Sequence, residues 1–113
     1  MKAETFLMIK NAKILTHIRI SISQAVNRTP IYYPGGAYYQ DYVGVGWTAA
    51  NYIIEQAEEN NNIDELIDNI DDNLMVKKWL RKYFNNIYSL IPPKRKDKFV
   101  KGFLERAEEL DVY

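Results

Sequence analysis

Leu74-Met75-Val76-Lys77-Lys78-Trp79-Leu80-Arg81-Lys82-Tyr83-Phe84-Asn85-Asn86-Ile87-Tyr88-Ser89-Leu90-Ile91 is the stretch that decides the fold. At about 100° per residue, Met75, Val76, Trp79, Leu80, Tyr83, Phe84, Ile87 and Leu90 fall on one side of a helix. Lys77, Lys78, Arg81 and Lys82 fall on the other, with Asn85 among them. The apolar side must be buried against other elements, while the basic side is free to meet an anion. The expected architecture is mainly α, a compact bundle of about five helices forming one domain over residues 1–113.

Upstream, Ile63, Leu66, Ile67, Ile70 and Leu74 form a second helical stripe. Asn62 is its expected cap, with Glu65 placed for a capping box, and Asp71 or Asp72 should start the basic helix. The acids Asp64, Glu65, Asp68, Asp71 and Asp72 lack the glycine and closing glutamate of an EF-hand loop, so they read as capping and solvated residues. Asn60-Asn61-Asn62 separates this helix from one expected over Thr48 to Glu59, with Thr48 as N-cap.

Gly44-Val45-Gly46-Trp47-Thr48-Ala49 matches G-x-G-x-x-A, and Asp64 lies where a ribose-binding acid would stand. The dinucleotide fingerprint needs a strand before the glycines and another before the acid, and this chain offers neither. A Gly-Lys-Ser/Thr phosphate loop is absent. Before the glycines, Ile31 to Tyr42 is crowded with tyrosine around Pro34-Gly35-Gly36, a strong turn signal. The span 30–46 therefore reads as an irregular Tyr/Gly-rich loop or a short hairpin. Tyr38, Tyr39, Tyr42 and Trp47 are its candidate aromatic contacts, as base-stacking surfaces or protein-docking anchors, unless they lie as a lid on the core.

Residues 3–27 carry Leu7, Ile14, Leu15, Ile18, Ile22, Ala25 and Val26 at helical spacing, which outweighs the strand-like alternation of 17–23. Arg28-Thr29-Pro30 should end that helix. His17, the single histidine, has no close acid or cysteine in sequence and reads as a surface or boundary residue. At the other end Pro92-Pro93 stops the basic helix, and Pro93 should open the last one. There Phe99, Val100, Phe103, Leu104, Ala107 and Leu110 share a face.

The polar residues of that last helix oppose its macrodipole. Lys94, Arg95, Lys96 and Lys98 crowd its start, and Glu105, Glu108, Glu109 and Asp111 its end. Each misplaced charge costs from a few tenths to about 1 kcal/mol, so helix stability does not explain the order. Cations beside free backbone N–H groups favour an anion, of which phosphate is the obvious example.

Net charge is zero, but residues 1–28 hold five Lys/Arg and one acid, 29–76 nine acids and no Lys/Arg, and 77–113 ten Lys/Arg and five acids. These blocks pair within the monomer, pair between copies, or face partners. The absence of cysteine removes disulfides, thiolate nucleophiles and cysteine-based zinc sites. The Phe6 to Ile9 run is too short for a signal-peptide core, and no run suits a membrane span, so a cytoplasmic protein is expected. With one His, scattered Ser and surface-patterned acids, no catalytic constellation, cofactor or metal is expected. The reading is a non-catalytic protein that binds nucleic-acid backbone through Lys77, Lys78, Arg81, Lys82, Lys94, Arg95, Lys96, Lys98 and Lys101, as a subunit of a larger nucleoprotein assembly. The alternative is a protein–protein interaction module or inhibitor, forming a homo-oligomer or docking through acidic 55–72 and exposed aromatics.

Overall fold

A computed structural model describes residues 3–27, 31–32, 38–39 and 41–110, with side chains described for 13–27 and 41–110. The expected helical bundle is the observed architecture. Helix α1 (Ala3–Val26) leads to a pair of two-residue strands, β1 (Ile31–Tyr32) and β2 (Tyr38–Tyr39), antiparallel with Ile31 opposite Tyr39. Helices α2 (Tyr42–Glu59), α3 (Ile63–Asn69), α4 (Asn73–Tyr83) and α5 (Asn85–Tyr88) follow, then a 3₁₀ turn (Pro93–Arg95) and α6 (Lys96–Glu109). The expected breaks at Arg28-Thr29-Pro30 and Pro34-Gly35-Gly36 lie outside the described residues.

Helices α2 and α6 form the main packing pair, and they run parallel. Asp41 bonds Lys98, Gly46 abuts the backbone of Phe99 and Phe103, and Asn51 bonds Arg106, so the contacts advance together along both helices. Helix α1 runs antiparallel to α2, with Ala25 near Tyr42, His17 stacked on Tyr52 at 5.2 Å, and Ile14 near Gln56. Residues 60–95 carry the chain from the end of α2 back to its start. The core joins Ile18, Val45, Ile53, Leu66, Leu80, Phe99 and Phe103, all essentially inaccessible.

Two expected boundaries move, and one expected cap bond does not form. First, α2 begins at Tyr42, not after Thr48, because the Asp41 carboxylate accepts the Val43 N–H at 2.9 Å and caps the helix earlier. The Gly44/Gly46 pair is therefore helical. Second, the 74–91 helix is two helices, since Phe84 leaves helical geometry at φ −133°, ψ 37°. The poor helix formers Asn85 and Asn86 follow the break, which lets Phe84 pack on Trp79 at 5.3 Å. Third, Asn62 makes no side-chain cap bond, so the capping box with Glu65 does not form. Asp72 caps α4 as expected, accepting the Leu74 and Met75 N–H groups.

Most positions of the predicted apolar stripes are buried. Leu66 and Ile70 are covered, but Ile67 and Leu74 face solvent, as do Val26 of α1 and Leu110 beyond α6. No helix among the described residues is long and apolar enough to cross a membrane.

Candidate nucleic-acid interface

Seven of the nine cations expected to form one face are sorted by the fold into three groups. Lys77 and Arg81 of α4 turn toward the start of α6. There Lys77 pairs with Asp97, and Lys96 and Arg81 bracket the Tyr88 ring, with the Lys96 Nζ 4.1 Å and the Arg81 guanidinium 5.9 Å from its centroid. Burial pushes the Tyr88 phenol above its ordinary pKa despite these cations.

Lys96 is a correction. Its ammonium donates to the Tyr88 carbonyl at 2.9 Å, which also accepts the Ile91 N–H, and to the Ile91 carbonyl at 2.7 Å, where the chain stops being helical. Burial, helped by Arg81, lowers its pKa. This lysine holds the Tyr88–Ile91 turn and is not a free phosphate ligand.

Lys82 is also diverted. It pairs with Glu65 of α3 at 3.2 Å, and the same carboxylate accepts the Tyr83 hydroxyl. The hydrogen bonds from Tyr83 and Lys82 hold the Glu65 carboxyl below its ordinary value. Glu65, expected to cap α3, instead ties α3 to α4.

Lys94, Arg95 and Lys98 form the third group. They line a cleft of about 840 Å³ whose described walls include Ala25 and Val26 from the end of α1, Tyr42 at the start of α2, and Pro92-Pro93. Asp41 is the single acid among these lining residues, 3.0 Å from the Lys98 ammonium. Partial burial works to raise the Asp41 carboxyl. The Lys98 and Val43 hydrogen bonds and the Lys98 and Arg95 charges outweigh it, and the pKa is lowered. Because α2 and α6 are parallel, both helix starts lie at this end, and their partial positive charges add to the three cations. Lys78 on α4 and Lys101 on α6 are exposed, Lys101 beside Asp97 and Glu105.

The aromatic expectation divides. Trp47 is 3 % exposed and Tyr42 8 % exposed, so neither is a stacking or docking surface. The Arg106 guanidinium covers the Trp47 ring at 4.2 Å and bonds Asn51 at 2.7 Å, which closes the core there. Tyr42 and Trp47 are drawn in because α2 starts at residue 42 and presents both to its neighbours. The side chains of Tyr38 and Tyr39 lie outside the described residues. His17 is exposed, its ring stacked on Tyr52.

The acids of α2 and α3 gather at the opposite end from the cleft. Glu55 and Glu58 close α2, Asp64 and Asp68 are exposed on α3, and Glu108 and Glu109 close the parallel α6. No group of three or more metal-ligating side chains occurs among the described residues. The chain matches no protein-family model, no curated protein and no solved structure.

Proposed function

We propose that this chain is a non-catalytic protein that binds nucleic-acid backbone at the basic end of the bundle, as a subunit of a larger nucleoprotein assembly. One observation carries the reading. Lys94, Arg95 and Lys98 converge on a cleft in which Asp41 is the single acid among the described lining residues, at an end shared by the starts of two long helices. Arg81 and Lys78 on α4 and Lys101 on α6 are exposed and supply the further candidate phosphate contacts. Lys77, Lys82 and Lys96 contribute to the fold through Asp97, Glu65 and backbone carbonyls. The contact is to phosphates: with Tyr42 and Trp47 buried, neither offers its ring to a base.

The test is fluorescence anisotropy with labelled single-stranded DNA, single-stranded RNA and duplex. About six phosphate contacts predict an affinity roughly 10³-fold weaker at about 200 mM than at about 50 mM salt. Lys94→Glu with Arg95→Glu should abolish binding at low salt. A wild-type protein that binds none of the three at low salt overturns the proposal.

A further inference from the structure

The parallel pairing of α2 and α6 gives this molecule two charged ends: α6 inverts the favourable order of charge at both its ends, and α2 does so at its C-terminal end only, its start being capped by Asp41. Lys94 and Arg95 precede α6, and Glu108 and Glu109 end it. Helix α2 has no cation in its last turn, where Glu58 and Glu59 stand instead. In antiparallel helices these inversions would cancel across the pair. In parallel helices they add, with the helix dipoles, into one dipole along the bundle. The 18 residues of α2 separate the two ends by about 27 Å. Some opposite charge is mixed in: Arg106 pairs with Glu109, Lys82 with Glu65, and Asp41 with Lys98.

Each end also exposes apolar surface. Ile67 and Leu74, 42 % and 61 % accessible, stand among the acids of α3 and the start of α4. At the other end Val26, 65 % accessible, and Pro92-Pro93 wall the cleft that Lys94 and Arg95 rim. The two surfaces therefore match in sign of charge and in having apolar side chains to bury together. Charges that cost stability in the monomer become favourable when the opposite end of another molecule lies against them. Zero net charge leaves no overall repulsion between copies.

We propose that copies of this chain associate head to tail, with the acidic end carrying Asp64, Asp68 and Ile67 seated in the basic cleft of the next. The two surfaces differ, so the contact is heterologous and repeats into an open chain or a ring, not a two-fold dimer. This association does not require nucleic acid.

Sedimentation velocity of protein freed of nucleic acid tests it, with two neutralising variants checked for native circular dichroism. Lys94→Gln with Arg95→Gln disarms the basic end, and Asp64→Asn with Asp68→Asn disarms the acidic end. Wild-type protein should grow past dimer with rising concentration at about 50 mM salt and revert to monomer at about 500 mM, where screening is nearly complete at contact range. Each variant alone should associate on the order of tenfold more weakly. Mixed together, they should form a heterodimer that stops at two, because each supplies the end that the other lacks. The Asp64/Asp68 variant should still bind nucleic acid, so the two proposals fail separately. Wild-type protein that stays monomeric at low salt, or a closed dimer indifferent to either variant, overturns head-to-tail association. So does a mixture that forms no heterodimer.

Discussion

Gly46 and Gly102 lie against each other's helix backbone where α2 and α6 cross. A Cβ on Gly46 would sit 1.9 Å from the Phe99 carbonyl oxygen, and one on Gly102 would sit 1.8 Å from that of Val43. Neither neighbour is a flexible side chain, so the helices themselves would have to separate. That close approach sets the parallel register of Asp41 with Lys98 and Asn51 with Arg106, and hence brings both helix starts to one end.

Gly46→Ala and Gly102→Ala should each destabilise the fold by at least about 2 kcal/mol, despite the roughly 1 kcal/mol that alanine gains in helix propensity. Urea unfolding followed by circular dichroism measures this. A variant as stable as wild type would show that the helices part without cost.

Lys96→Met should cost stability without weakening nucleic-acid binding beyond its loss of one charge. Removing the ammonium takes the donor from the Ile91 carbonyl and leaves the Tyr88 carbonyl with the Ile91 N–H alone, at about 1–3 kcal/mol. Thermal unfolding should register the loss, while anisotropy at low salt should change far less than for Lys94→Glu with Arg95→Glu. A reversed order of effects would make Lys96 a ligand-facing residue.

Acid should weaken the fold through Asp41. Its carboxyl titrates below the ordinary 3.8 in the folded state, so its stabilisation is fully present above that value. It is lost as pH falls through the lower folded value, where the ammonium of Lys98 and the Val43 N–H lose their acceptor charge. The side chain is 41 % exposed, which keeps the ion-pair share to at most about 1 kcal/mol. Asp41→Asn keeps a capping oxygen but no titratable group, and so should show a shallower loss of stability across this acid range. Equal pH dependence in the two proteins would exclude Asp41 as a source.

Tryptophan emission should be blue-shifted and should stay unchanged on addition of nucleic acid. Trp47 and Trp79 are the only tryptophans, and each is 3 % exposed. Strong quenching by single strands, with no change in far-ultraviolet circular dichroism, would put one of these rings against a base.

The helices and most of the core were legible from periodicity because burial of a stripe is a local pattern that repeats with the helical turn. Ile14 and Ile18 of α1, Val76, Trp79 and Leu80 of α4, and Phe99, Val100 and Phe103 of α6 are buried as their spacing requires. Boundaries were less legible. The early start of α2 turns on Asp41 finding the Val43 N–H, and the break at Phe84 turns on its ring finding Trp79. The site was legible only as a composition. No local signal separates Lys96 from Lys94, because only the folded turn brings one ammonium to the Tyr88 and Ile91 carbonyls.

The sequence by itself determined that this chain is helical, where its apolar stripes lie, and that the charges of its last helix oppose the dipole. Those properties depend on residues within a few turns of one another. Only the tertiary structure decided which cations face a cleft, which are spent on Asp97, Glu65 and backbone carbonyls, and that Tyr42 and Trp47 belong to the interior. It also decided that α2 and α6 run parallel. That direction depends on two glycines 56 positions apart, each leaving room for the other's backbone. No local pattern specifies such a pairing, because the steric match exists only once the intervening helices have carried the chain back.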